Sequence, residues 1–312
     1  MIRILPSELA TGARDVFADL VRRHAAAGPT SDGYFARDHR PLWREVVAGG
    51  WHCVGLPEER GGSGFDLLDL TAFAEVWGGS LIPLPYMPTV LLLRWAGVSA
   101  DGAPASMLTY GVGRDACDPA DLGIAPFAGV PGTVSVGRLT SGSFEPAAHS
   151  TARFAESSEL DPAGTLSMPL ERVPFVTEGL PGQALQEIAV LGAAELVGVA
   201  ATMLDKSVSY ARQREQFGRP IREYQAVQHR LADMLCDLEV ARSAVVKAVN
   251  EPTEWRGAVA VAWERALRVE DNCIRVHGGF GMTWDAGLHQ FTRHIMAWGE
   301  LLEACGVGLR HL

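Results

Sequence analysis

Paired cysteines are missing from this sequence. Its five cysteines, Cys53, Cys117, Cys236, Cys273 and Cys305, are odd in number and widely spaced. No CxxC pair offers a zinc site or a redox dithiol, so they read as buried small hydrophobes and no metal is expected. Basic character is also scarce: the formal net charge is −10, and no Lys/Arg-rich run offsets it locally. That balance excludes a protein that works by neutralising a nucleic-acid backbone. An anionic ligand is still admissible, because a few placed arginines and helix N-termini bind phosphates on an acidic protein. No apolar run approaches the roughly 20 residues of a membrane span. The N-terminus, MIRILPSELATGARDVF, mixes charges among its apolar residues where a signal peptide needs an apolar core. A soluble, cytoplasmic protein with no membrane or nucleic-acid partner is expected.

What is present suffices for a sizeable core: 312 residues, 47% of them hydrophobic and 21% charged, far from the signature of disorder. From Ser7, Leu9, Val16, Phe17, Leu20 and Val21 recur at helical spacing. A helix around Arg37 to Ala48 follows and ends at Gly49 and Gly50, before the turn-rich GWHCVGLPEERGGSGF. Helix resumes at Asp66, and prolines in LIPLPYMP separate it from the apolar run TVLLLRWAG. Between about Ala105 and Glu178 the texture changes to short alternating runs such as GTVSVGRLTSG, the mark of a small β domain. Helical periodicity returns from Pro181, first in ALQEIAVLGAAELVGVAATMLDKSVSYARQ and then in REYQAVQHRLADMLCDLEVARSAVVKAVN, with two or three helices beyond them. In the second of these, Tyr224, Val227, Leu231, Met234, Leu235 and Leu238 form an apolar stripe. The expected fold is mainly α, with an N-terminal helical domain over 1–105, a middle β domain over 106–180 and a C-terminal antiparallel bundle over 181–312.

Three segments carry chemistry: GWHCVGLPEERGGSG from Gly50, YARQREQFGRPIREYQAVQHRLADM from Tyr210, and VHGGFGMTWDAGLHQFTR from Val276. In the middle one, a helix ending near Glu215 gives way to a tight connection through Gly218 and Pro220. Arg212 and Arg214 there complement the helix dipole, or Arg214 meets a phosphate. The glycines of HGGFG serve either close packing at a helix end or a backbone left bare for a ligand. His277, His229 and His289 lack the neighbours of a metal site.

Together these segments closely resemble the acyl-CoA dehydrogenase family, whose members carry PE-x-x-GG-x-G early, R-x-x-FG-x-P…Q in the middle and GG-x-G late. The resemblance runs from about Trp51 to Arg293. It implies that the C-terminal bundle has four helices, that the substrate is an acyl-CoA, and that FAD is shared across a subunit interface. Arg214, Phe217 and Gln225 map onto the corner that reaches a neighbouring subunit's flavin, and Gly278 and Gly279 onto the backbone beside its adenosine and pyrophosphate. An electron acceptor such as an electron-transfer flavoprotein is implied as a further partner.

The sequence also departs from that family. Gapless matching places the two usual positions of the catalytic glutamate on Leu302 and Ile188, with Glu300, Glu303 and Glu187 nearby. A miss of one position on a helix turns a side chain by about 100°, so no catalytic residue is assigned. The T-E-P-x-(A/S)-GS-D flavin loop is missing between Ala105 and Glu178, Arg275 stands where glutamine is usual, and the segment after Arg293 is short. The resulting expectation is one subunit of a heteromeric enzyme, completed by a second acyl-CoA dehydrogenase-like chain. Such assemblies occur in the family, particularly among bacterial enzymes acting on bulky steroid or lipid side chains. A homomeric dehydrogenase with displaced motifs, or a non-redox protein reusing the fold, are the alternatives.

Overall fold

The computed structural model describes residues 2–25, 38–96, 99–103, 107–109, 122–126, 135–140, 143–147, 170–174 and 182–309. The chain begins with α1 (Glu8–His24), capped by the Ser7 hydroxyl, which accepts from the Ala10 N–H. Its buried face is Ala10, Phe17, Leu20 and Val21. Leu9 and Val16, which share the apolar periodicity, are exposed; each lies one position from a core residue and is therefore rotated about 100° off the core. The preceding segment is pinned by Arg3, which pairs with Asp66 and Asp69 and whose carbonyl accepts from Asn250.

Helix α2 (Arg40–Ala48) leads into two 3₁₀ turns. The second of them, Glu58–Arg60, lies in the PEERGGSG loop, which is closed by backbone bonds from Gly62 to Pro57 and from Gly64 to Leu56. Helix α3 (Leu67–Ser80) starts at the Asp66 cap. Helix α4 (Tyr86–Ala96) begins before Pro88, not after it, because a proline in the first turn forfeits no intrahelical bond. Arg94 on α4 donates to the carbonyls of Gly55 and Phe65 and so holds the glycine loop against the helices. Phe17, Trp51, Phe73, Trp77 and Tyr86 fill the space between these elements, with Phe17 4.8 Å from the Tyr86 ring and 5.4 Å from Phe73. Burial pushes the Tyr86 phenol well above its ordinary pKa, and its hydroxyl donates to the Trp51 carbonyl.

Short strands follow. β3 (Ser135–Thr140) pairs in parallel with β1 (Leu108–Thr109) and antiparallel with β4 (Ser143–Ala147). β2 (Leu122–Pro126) pairs antiparallel with β5 (Leu170–Pro174). Most of the expected β region lies outside the described residues.

The bundle is built from α5 (Gly182–Gln213), α6 (Gln225–Asn250), α7 (Trp255–His277) and α8 (Leu288–Ala304). Helix α5 is its axis, touching the other three and α3 as well. By length and composition it could cross a membrane, but 83% of its most apolar window is buried inside the protein; its apolarity serves the core. Close approach of α3 to α5 depends on glycine: a Cβ on Gly78 would lie 2.2 Å from the Glu195 carbonyl oxygen, and one on Gly198 1.9 Å from that of Glu75. On α6 the expected stripe is only partly inward, with Met234 and Leu238 buried and Leu235 exposed. Cys53, Cys273 and Cys305 are buried free thiols, whereas Cys236 is exposed on α6 and corrects the expectation of buried cysteines. Cys117 lies outside the described residues.

Candidate functional site

The Arg214 N–H donates to the Tyr210 carbonyl at 2.8 Å and completes the last turn of α5. The chain does not simply turn there. It makes a miniature hairpin in which β6 (Glu215–Gln216) pairs with β7 (Arg219–Pro220), leaving Phe217 and Gly218 as the two-residue tip. Both tip residues have positive φ, 54° and 82°, as a type I′ turn requires. Glycine accepts that backbone freely. Phenylalanine does so at a cost of roughly 1–2 kcal/mol, and here the residue is 94% exposed. The strain at this exposed aromatic is therefore left without compensation from the core.

The base of the hairpin is closed by the Ile221 N–H donating to the Arg214 carbonyl at 2.8 Å. Its side is braced by Tyr224, whose hydroxyl donates to the Gln216 carbonyl. The Tyr224 ring meets Phe217 edge-on and carries the Arg219 guanidinium over its face at 4.2 Å. Gln225 opens α6 directly after Tyr224, which supplies no side-chain cap to the first-turn amides. Arg214, Phe217 and Gln225 are all exposed.

At the end of α7, Gly278 adopts φ 60° and ψ −142°, a combination essentially limited to glycine. A Cβ on Gly278 or Gly279 would meet nothing within 4 Å, whereas one on Gly281 would lie 2.9 Å from the His277 Cβ. The packing reading of HGGFG applies to Gly281, whereas Gly278 and Gly279 have open space beside their backbone. His277 is buried, with Nδ1 2.8 Å from the Cys273 carbonyl oxygen. Burial first, together with nearby Lys206, lowers its pKa, while the Cys273 bond opposes them. Arg275 is held by Asp271 at 2.7 Å.

These motifs share one end of the bundle. The hairpin joins the end of α5 to the start of α6. The Tyr210 ring, in the last turn of α5, stacks on His277 at 4.4 Å and on Phe280 of the glycine turn at 5.8 Å. Sequence reasoning missed the hairpin and this stack. The available signals were the two positions that precede glycine and proline in FGRP, and a tyrosine one helical turn before Arg214.

The matching positions for a catalytic glutamate are different in kind. Leu302 and Ile188 are both fully buried. Glu187 accepts from Trp95 Nε1 at 2.6 Å and from Gln183 at 3.2 Å, a latch between α4 and α5. Glu300 is exposed on α8. Two buried glutamates also face α8: Glu195 accepts from Trp298 Nε1, and Glu270 accepts from the Thr292 hydroxyl. Burial, the dominant influence, raises the Glu270 pKa. Among the described residues no group of three or more His, Cys, Asp or Glu gathers where a metal ion could sit.

Residues 7–93 match the acyl-CoA dehydrogenase N-terminal domain and residues 181–299 its C-terminal domain. The acyl-CoA dehydrogenase IpdE2 of Mycobacterium tuberculosis is 31% identical over 98% of this chain and 97% of its own. Among solved structures, the ChsE4-ChsE5 complex from Mycobacterium tuberculosis has a TM-score of 0.72 at 22% identity, covering 99% of this chain and 97% of that one. Butyryl-CoA dehydrogenase from Megasphaera elsdenii has a TM-score of 0.67 at 18% identity, covering 95% and 98%. The solved structures establish the fold, and the end-to-end relative with the two domain matches establishes descent: the chain belongs to the acyl-CoA dehydrogenase family.

Proposed function

We propose that this chain is one subunit of a heteromeric, FAD-dependent acyl-CoA dehydrogenase that introduces a double bond between Cα and Cβ of an acyl-CoA thioester. The observation that carries the reading is an asymmetry within the chain. Its reaching corner is formed and exposed, while the residue matching the catalytic glutamate is Leu302, fully buried on α8. The division into domains over 1–105, 106–180 and 181–312, and a cytoplasmic setting, belong to the same reading.

Members of this family generally bind FAD, and the corner fits half of such a dinucleotide. The Arg214 guanidinium supplies charge-assisted donors for a phosphate, Phe217 an aromatic wall, Gln225 an amide at an uncapped helix start, and Gly278 and Gly279 a backbone that a ligand can approach. FAD, when bound, supplies the hydride acceptor for the hydrogen leaving Cβ. The α-proton needs a carboxylate base, which this reading assigns to the partner subunit. This chain's residues then hold the cofactor from across the interface without touching the reacting carbons. Two solved structures of this fold pair different chains, ChsE4-ChsE5 and Tcur3481-Tcur3483, the latter a steroid acyl-CoA dehydrogenase, which supports the same arrangement here. An electron-transfer flavoprotein would reoxidise the flavin.

The test is to purify the chain alone and with a co-expressed full-featured family member, measuring flavin absorbance and mass. The chain alone should be colourless and the co-purified heteromer yellow. One FAD per chain in a homo-oligomer of this protein would overturn the proposal.

A further inference from the structure

We infer that Tyr210 is the positioning residue of the corner, fixing the arginine side and the glycine side of the site relative to each other; this rests on the reading that the corner holds FAD. Two observations meet in this one residue. Its backbone carbonyl accepts the Arg214 N–H at 2.8 Å, so its ring stands on the same last turn of α5 from which Arg214 leaves. Its ring lies 4.4 Å from His277 at 26° and 5.8 Å from Phe280 at 5°, so the same residue seats the turn that follows α7.

The partners on the far side are themselves held. His277 is buried, and its Nδ1 stands 2.8 Å from the Cys273 carbonyl oxygen, which makes that nitrogen the protonated one and fixes the ring on its own helix. Phe280 sits in the 3₁₀ turn Gly278–Met282, between the bare glycines and Gly281, whose backbone packs on His277. Offset aromatic stacks of this kind resist both sliding and separation. The hairpin beyond Arg214 is small and exposed, and Gly278 and Gly279 have open space around them. The packing of α5 against α7 sets the separation of the two helices, and the Tyr210 stack carries that separation to their ends, where the hairpin and the glycine turn begin. A ligand bridging them binds well only when that distance is set before it arrives.

The test combines Tyr210→Leu, which removes the ring, Tyr210→Phe, which keeps it, and Phe280→Leu, which cuts the stack from the glycine side and stands in should Tyr210→Leu not fold. In the full chain, amide hydrogen exchange of residues 214–218 and 278–281 should quicken together in the leucine variants and stay at the wild-type rate in Tyr210→Phe. In the FAD-binding assembly, Tyr210→Leu should weaken FAD affinity about tenfold, with Tyr210→Phe within about twofold of wild type. Combined with Arg214→Ala, the loss should be smaller than the product of the single losses, because Tyr210 acts partly through Arg214. Unchanged exchange, unchanged FAD affinity in the leucine variants, or fully multiplicative losses would overturn the inference while leaving the flavin corner standing. No loss of FAD affinity in Arg214→Ala would remove the corner itself, and the inference with it.

Discussion

The hairpin after α5 and the helix α8 belong to the same bundle, and they have been treated oppositely. Around Arg214 the chain accepts a left-handed phenylalanine and leaves its ring in solvent, both unfavourable for an isolated protein. Around Leu302, where the family match expects a reactive carboxylate, the chain has a fully buried leucine flanked by Leu301, also fully buried. Under the proposed function, that strain belongs to a surface completed by another molecule. Leu301 and Leu302 belong to the apolar core of the bundle. Under the proposed function, the difference separates what the chain would offer to a partner from what it would leave to that partner.

The comparison can be broken most severely at α8. Leu302→Glu restores the family's residue type but puts an unpaired carboxylate into the core, and should cost more than about 4 kcal/mol. Loss of soluble protein or a collapse of the thermal midpoint checks this, whereas a folded variant with gained dehydrogenase activity would show that α8 still lines a working site. Next in size, Arg214→Ala should lower FAD affinity of the assembly about 10- to 100-fold, the equivalent of about 1.5–3 kcal/mol for a charge-assisted contact. The melting of the isolated chain should barely move, since the side chain is exposed; flavin titration and calorimetry separate the two quantities.

A smaller effect, of opposite sign, is expected at the hairpin tip. Phe217→Asn places a residue suited to type I′ turns before Gly218 and should stabilise the isolated chain by about 0.5–1 kcal/mol. The same change should weaken FAD binding or assembly, so stability and function move apart; a variant that loses stability would mean that Phe217 is held by its own chain. The least effect is expected for Glu300→Gln and Glu187→Gln. Each should leave the assembly's turnover within about tenfold, whereas loss of a general base costs about 10²–10⁴-fold. Steady-state kinetics of the co-purified assembly reads this directly, and a loss of that size would return the base to this chain.

Much of this was legible before any fold was known. The spacing of Phe17, Leu20 and Val21, the aspartate before Leu67 and the long apolar period of α5 are local signals, and the corresponding helices formed. Local signals also failed in intelligible ways. Leu9, Val16 and Leu235 fit the period of their helices yet are exposed, because periodicity identifies an apolar stripe without saying how much of it another element covers. The residues of the corner stand out in REQFG and HGGFG, but four paired residues are too short to leave a strand pattern, and only FGRP marks the hairpin's turn.

The sequence by itself determined which residues are chemically equipped: an arginine before FG, an amide at the next helix start, and glycines after a histidine. It also determined that no glutamate stands at either matching position, because identity at a position is a covalent fact. Only the tertiary structure decided that Phe217 is strained and in solvent, that Gly278 and Gly279 face open space while Gly281 packs, and that Glu187 is occupied by Trp95 from a helix far away in sequence. It alone joined Tyr210 to His277 and Phe280. Exposure, strain and partnership are relations between segments distant along the chain, and they exist only once the helices have packed.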